Sequence, residues 1–344
     1  EDGLVDDLAY EDELDDLEGI TLGPLLETAR YAGVTWDSLG VRRPARIAVV
    51  NAVGTIVSGK SGYDPVNGPV LGSESIVEQI RAARASGARA IVVRIDSPGG
   101  SSIASDVIWR ELMITKSERM PIVVSMSDLA ASGGYYVAMA GDVIVAQPGT
   151  LTGSIGVYTG KFVAGGTLDK LGANIEGVSQ GRHAEMYSPD RSFSDEERAR
   201  VLESMQATYG HFVERVAESR HTTPEKIDQI AQGRVWTGQQ ARQLGLVDEL
   251  GGLTAALSAA KVRAGIPADQ EVELVVYPRP RSVYEVLSDQ FESPLEGVRS
   301  ASTAEALLGI LGPRDRQALA ALLAPSRLFR AGETLAHMPY VFVR

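Results

Sequence analysis

Three glycine-rich turns carry the residues best suited to chemistry. They are Asp96-Ser97-Pro98-Gly99-Gly100, Ala131-Ser132-Gly133-Gly134-Tyr135 and Leu151-Thr152-Gly153-Ser154-Ile155-Gly156. The first two follow short β-branched runs, Ala90 to Ile95 and Ile122 to Ser125, so their glycines can turn backbone N–H groups toward a common point. Converging N–H donors beside a serine at a helix start are the parts of an acyl-transfer site: a nucleophile and a hole for the developing oxyanion. Ser132 suits the nucleophile, because a helix N-terminus sets its oxygen in a positive field and the Gly133 N–H lies next to it. The residues alone leave two plainer readings open: Ser132 as an N-cap serine, and the glycines as ordinary turns after strands.

Other chemistries find less support. Cysteine is absent, which removes disulfides, thiolate metal sites and a cysteine nucleophile. The four histidines are scattered and no acidic cluster near them has ligand spacing, so neither a metal nor a cofactor is expected. The net charge of -12 is concentrated at the start, where Glu1 to Glu18 carries acids and no base. With a pI near 4.9 and no basic block interleaved with aromatics, nucleic acid is not an expected partner. Pro121 to Ala146 is the most apolar stretch, but serines, glycine and two aspartates interrupt it, so it does not read as a membrane span.

The elements that must position the turns alternate between strand and helix. Ile47 to Val53 reads as a strand, Gly54 to Gly72 as a long mobile loop, and Ser75 with Glu78 as a capping box for a helix through Ala85. Arg89 to Ile95 is a buried-type strand, Ser101 or Ser102 caps a helix to about Ser117, and Pro121 to Met126 and Asp142 to Ala146 are further strands. Ser194 with Glu197 caps a long helix to Ser219, Thr223-Pro224 starts a short one, and Thr237 caps another ending at Gly245. This order predicts an α/β fold with crossover connections and a site on the loops at strand ends.

The three motifs in this order, followed by Gly233-Arg234-Val235-Trp236-Thr237-Gly238, Ala241 and Gly245-Leu246-Val247-Asp248, resemble the signal peptide peptidase A family from about Ile47 to Leu257. The resemblance implies a Clp-protease/crotonase-like spiral of β-β-α units with added C-terminal helices. It also implies a serine endopeptidase acting on cleaved signal peptides or similar apolar peptides. Ser132 is then the nucleophile, Gly133 one arm of the oxyanion hole and Gly99 and Gly100 the other. From their position beside the nucleophile, Tyr135 and Tyr136 read either as shaping the substrate groove or as packing residues at the start of an apolar helix. Such enzymes use a serine and lysine dyad, with the lysine steadied by the serine that matches Ser154. In this sequence the lysine column, a few residues before Ser188-Pro189, holds Ala184.

Two-repeat members of that family supply the base from their first half, which would account for Ala184. Gly3-Leu4-Val5-Asp6-Asp7-Leu8 nearly repeats Gly245-Leu246-Val247-Asp248-Glu249-Leu250, as the end of an earlier repeat would. The expected organisation is therefore 1–44 as an acidic segment and linker closing an upstream repeat, 45–272 as the peptidase domain and 273–344 as an extension. The expected partners are signal-peptide substrates, further copies of the chain and an upstream repeat supplying lysine. Membrane association is expected only through an upstream anchor, on the periplasmic side of the inner membrane. Within the chain, His183 with Glu185 or Asp190, Lys60 and Lys161 remain other sources of a base. Two further functions compete: an assembly or peptide-binding module lacking activity of its own, and a crotonase-type acyl-CoA enzyme, which the Ser-Gly-Gly-Tyr string fits poorly.

Overall fold

Ala45–Val53 is almost wholly apolar, with Ile47, Ala48, Val49 and Val50 all buried, as a parallel strand covered on both faces requires. It is β1 of a computed structural model that describes residues 44–64, 68–172, 177–279 and 334–337. The acidic segment and linker at 1–43 and most of the expected extension after 279 lie outside the described residues.

The chain proceeds in β-β-α units. The first comprises β1, β2 (Thr55–Val57), the hairpin β3 (Gly62–Asp64) and β4 (Gly68–Gly72), and helix α1 (Ser73–Ala85). The second is β5 (Ala90–Ser97), β6 (Gly99–Ser101) and α2 (Ser102–Ser117). The third begins with β7 (Ile122–Ala131) and α3 (Gly133–Ala138) and continues through β8 (Val143–Ala146) and β9 (Leu151–Gly153). In each of the first two units the long strand enters one sheet and the short strand a second. The spiral of β-β-α units expected from the sequence is therefore the observed architecture.

The main sheet runs β10-β9-β7-β5-β1-β12, where β10 is Val235–Thr237 and β12 is Val272–Tyr277; β8 also pairs with β7 and carries β11 (Glu249–Leu250) on its other side. The pairings among β1, β5, β7, β8 and β9 are parallel. Strand β7 changes neighbours along its length, with Val123 to Ser125 on β8 and Leu129 to Ala131 on β9. This fork opens the sheet just before Ser132.

One sheet face buries Ile47, Val49, Val92 and Val123 against Ala256, Ala260 and Ile266, the first two of these on helix α8 (Leu253–Arg263). The other face packs Ala48, Val50, Ile91 and Val124 with Ile76 and Ile80 of α1, Ile108 and Leu112 of α2, and Phe212 of the long helix α5 (Asp195–Ser219). Each fully buried Val, Ile or Leu side chain contributes roughly 1.5–3 kcal/mol, so the layers hold the site loops on a rigid base.

Three local expectations are corrected. Gly54 to Gly72 contains β2, β3 and β4 rather than one loop, because these short strands pair with each other and with β6 in the second sheet, ordered β13-β6-β2-β4-β3 with β13 at Leu335–His337. Ser75 does not cap α1. Gly72 holds the N-cap position with no side-chain bond, and Ser75 Oγ accepts from the Ser61 N–H at 2.9 Å. The boundary expected at 272/273 cuts β12, which pairs with β1 from Val272 to Tyr277, so the main sheet runs past it. The capping boxes at Ser194/Glu197 on α5 and at Thr237/Gln240 on α7 (Gly238–Gln243) are both formed. Thr223 likewise caps α6 (Pro224–Ile230).

Candidate active site

Ser132 stands where β7 turns sharply into α3. Its backbone has φ 56° and ψ −116°, left-handed geometry that a non-glycine residue adopts only when its surroundings impose it. Two backbone bonds impose it here: the Ser132 N–H donates to the Gly153 carbonyl at 2.8 Å, and the Ser132 carbonyl accepts from Tyr136 N–H at 2.8 Å. The side chain makes no capping bond, so the N-cap reading of Ser132 fails. Among the described residues its hydroxyl meets only the Gly156 carbonyl, at a long 3.5 Å. A hydroxyl held by a strained backbone and not spent on structure is free for chemistry.

The Asp96-Gly100 turn lies directly against this one. A Cβ built on Gly99, whose φ is 94°, would sit 2.6 Å from the Gly133 nitrogen and 2.9 Å from the Ala131 carbonyl oxygen. A Cβ on Gly133 would sit 3.1 Å from the Gly100 nitrogen. The two glycine arms therefore close to a separation only hydrogen side chains permit. Their N–H groups are not equivalent. Gly99 N–H donates to Ser97 Oγ at 3.1 Å, and Ser97 Oγ donates onward to the Gly54 carbonyl at 2.7 Å, which leaves Gly100 as the donor this arm offers beside Gly133. Ser97, fully buried, is a positioning residue whose role has no local mark in the sequence.

The third turn forms the opposite wall. Ala131 pairs with Gly153, and β10 then pairs antiparallel with β9, setting Trp236 against Thr152. The indole covers Gly153, where a Cβ would lie 2.9 Å from Trp236 Cδ1, and its Nε1–H donates to the Ile230 carbonyl at 2.9 Å. Ser154 is buried with φ 48°, its N–H bonded to the Arg234 carbonyl at 2.7 Å. Arg234 and Trp236 thus build the wall. Ser154 opens onto a cavity of about 480 Å³ shared with Tyr158, Leu202, Met205, Tyr209 and Gln232.

The chain contains six lysines, and all fall among the described residues. Lys161 Nζ donates to the Met186 carbonyl at 2.8 Å and lies over the Phe193 ring. Lys116 pairs with Asp142 at 2.9 Å, and Lys261 bonds the Ala268 and Gln270 carbonyls. Lys60, Lys170 and Lys226 are exposed. None is hydrogen-bonded to Ser132. Ala184 is exposed in a turn, its N–H on the Gly181 carbonyl at 3.3 Å. The neighbouring His183 sits 3.6 Å from Glu196 rather than beside Glu185 or Asp190, so the alternative Ser-His arrangement is not assembled there.

Tyr135, expected in the substrate groove, is fully buried and donates to the Leu246 carbonyl at 2.8 Å, and burial pushes its hydroxyl pKa up. It is a packing residue: the first turn of α3 directs it into the core, where the Leu246-Val247-Asp248 string meets it. Asp248 itself binds the Ile144 N–H and Arg220. Burial opposes its ionisation, but the bonds from Arg220 and Ile144 hold the carboxyl below its usual range. Among the described residues no group of His, Asp or Glu is placed to hold a metal, and no helix is long and apolar enough to cross a membrane.

The profile of Peptidase family S49 matches residues 114–267. A chloroplastic protein of Arabidopsis thaliana named Serine protease SPPA is 40% identical over 299 residues, 84% of this chain and 44% of that protein. Protease 4 of Salmonella typhi is 39% identical over 235 residues, 67% of this chain and 37% of that one. The Synechocystis protein slr0021 is 34% identical over 236 residues, 68% of this chain and 80% of its own length. The chain thus spans less than half the length of the Arabidopsis and Salmonella relatives. Among solved structures, a membrane-bound stomatin-specific protease aligns over 70% of this chain at 14% identity, with a TM-score of 0.42.

Proposed function

This chain belongs to peptidase family S49, and we propose that it works as a serine endopeptidase on extended apolar peptides, cleaved signal peptides among them. The observation that carries the reading is Ser132, a serine held in a strained strand-to-helix turn, relieved of capping and set beside the Gly133 N–H. In the proposed reaction Ser132 Oγ attacks the peptide carbonyl carbon while its proton passes to a base. The oxyanion accepts hydrogen bonds from Gly133 and Gly100, and collapse breaks the C–N bond as the leaving amine takes that proton. Water then hydrolyses the Ser132 ester and regenerates the hydroxyl.

The base is a lysine from outside this chain's own site, supplied by an upstream repeat and steadied by Ser154. Support comes from the six lysines, none bonded to Ser132 and three engaged elsewhere, and from Ala184 in the lysine column. The cavity beside Ser154 has room for an incoming side chain. Such a site is completed by assembly, either of repeats in one chain or of several copies. The parent protein is placed, on this reading, at the periplasmic face of the inner membrane through an upstream anchor.

The test is labelling of the chain by a fluorophosphonate together with hydrolysis of a fluorogenic apolar peptide, each with Ser132→Ala as the control. Labelling and hydrolysis that vanish in the variant support the peptidase. Labelling without hydrolysis, with turnover restored by adding the upstream repeat, supports the shared base. Unchanged hydrolysis in Ser132→Ala overturns the assignment.

A further inference from the structure

Just before the serine turn, β7 carries two residues more than its neighbour β5. Ile95 pairs with Met126 and Ser97 with Ala130, so Asp96 alone stands opposite Ser127, Asp128 and Leu129. An unbroken ladder would set Ser97 against Asp128 instead. At roughly 3.3 Å per residue, that register would carry Ser132 about 6–7 Å past its observed place. With the bulge, Ser132 comes level with Gly99: a Cβ on Gly99 would lie 2.9 Å from the Ala131 carbonyl oxygen and 2.6 Å from the Gly133 nitrogen, the groups on either side of the serine.

The apolar pattern does not choose between these registers. Side chains alternate with period two, so a shift of two residues leaves each one on the same face, and Met126 and Ala130 both belong to the core in either case. The choice falls to polar groups. A bulge takes ladder partners away from its backbone groups, and here side chains replace them. The Asp96 carboxylate accepts from the Leu129 N–H. Arg94 Nη1 donates to the Met126 carbonyl at 3.3 Å and to Ser125 Oγ at 2.8 Å, and its Nη2 to Ser127 Oγ at 3.0 Å. The buried Thr150 hydroxyl donates to the Ser127 carbonyl at 2.6 Å, from the turn that joins β8 to β9. The same stretch of β7 is where its neighbour changes from β8 to β9.

We propose that Asp96 is a positioning residue for Ser132: its carboxylate holds the β7 bulge open through the Leu129 N–H, with Arg94 and Thr150 on the bulge carbonyls, and so keeps the serine level with Gly99. The proposal rests on the reading of Ser132 as nucleophile and adds the device that sets its place along the strand. The carboxylate stays in a setting that disfavours its charge. Burial and the exposed Asp128 push its pKa above the ordinary carboxylate value, against the pull of Arg94 and the Leu129 N–H. Perturbed carboxyls of this kind gather at functional sites.

The experiment compares the full chain with Asp96→Ala, Asp96→Asn and Thr150→Val at a temperature where thermal melts show each one folded. Amide hydrogen exchange, read by mass spectrometry on peptides covering 127–133, reports the Leu129 and Ser132 N–H groups, and the rate of fluorophosphonate labelling reports Ser132 Oγ. Asp96→Ala loses the acceptor, so exchange in this segment is expected to rise about tenfold and labelling to fall about tenfold, while exchange across 201–217 of α5 stays unchanged. Asparagine keeps an oxygen that can accept from Leu129, so Asp96→Asn is expected to restore both rates to within about threefold of the parent. Thr150→Val releases a different group of the same bulge and is expected to move both readouts in the direction of Asp96→Ala, which provides the answer if that variant does not fold.

Labelling of Asp96→Ala and Thr150→Val at the parent rate overturns the proposal while sparing the peptidase. A loss in Asp96→Asn as large as that in Asp96→Ala also overturns it, because the charge and not the bond to Leu129 would then be what counts. Faster exchange in Asp96→Ala with no labelling of any chain, the parent included, removes the nucleophile and leaves the bulge as the device that places residue 132.

Discussion

The N–H of Ser132 donates to the carbonyl of Gly153 at 2.8 Å, and this one bond fastens the serine turn to the turn that carries Ser154. It continues the parallel pairing of β7 with β9, whose last pair is Ala131 with Gly153. The left-handed backbone of Ser132 is thus held by a sheet and not by the loop alone. The geometry of the site therefore depends on residues several positions away from any reacting atom.

Gly99→Ala tests the close approach of the two arms. A methyl group there would meet the Gly133 nitrogen at 2.6 Å and the Ala131 carbonyl oxygen at 2.9 Å, on a backbone of φ 94°. Left-handed strain of this kind costs on the order of 1–3 kcal/mol, so a lower melting temperature is expected. Fluorophosphonate labelling of Ser132 is expected to fall at least tenfold as the arms separate. Labelling at the parent rate would show that Gly99 does not set their spacing.

Trp236→Ala removes the ring over Gly153 and its bond to the Ile230 carbonyl, at 2.9 Å. For this partly buried indole a loss of about 2–3 kcal/mol is expected, below the range for complete burial. Urea denaturation measures it. Trp236→Phe, which keeps a smaller aromatic ring but loses the five-membered ring over Gly153 and its N–H, is expected to recover only part of it.

Tyr135→Phe separates packing from substrate recognition. The hydroxyl is fully buried on the Leu246 carbonyl, so its loss is expected to cost about 1–2 kcal/mol in denaturant unfolding. Peptide affinity and Ser132 labelling are expected to stay at parent levels. A selective loss of peptide affinity would return Tyr135 to the groove.

Glu197 links pH to the start of α5. Arg191 and the Ser194 N–H bind its carboxylate and lower its pKa to about 2, from an ordinary value of 4.5. A carboxyl lowered on folding contributes stability that is present above the unfolded value and lost as pH falls through the folded one. Stability is therefore expected to decline between about pH 4.5 and pH 2, and Glu197→Gln to flatten that decline while lowering stability at pH 7. Thermal melts of both proteins across this window provide the measurement; parallel curves would remove the linkage.

The sequence by itself determined the elements whose signals are local. Apolar runs such as Ile47 to Val50 specify buried strands, and Ser194 with Glu197 or Thr237 with Gln240 specify helix starts, because each cap is satisfied within four residues. It also placed Ser132, Gly133 and Ser154 at strand ends, since a glycine-rich string after a β-branched run has few other uses, whereas Gly99 and Gly100, read as a turn, lie in the short strand β6 of the second sheet. Tertiary structure decided what those turns face. The strands in Gly54 to Gly72 exist only because β4 and β6 are beside β2 to receive their hydrogen bonds, and Ser75 lost its cap to a Ser61 N–H brought near by the same fold. Tyr135 follows a serine that invites a groove reading, yet the turn of α3 sends it into the core. Ala336 lies 204 positions after Ser132 and carries no local mark. Its place opposite Gly100 is a matter of strand register, which forms only when the two edges meet.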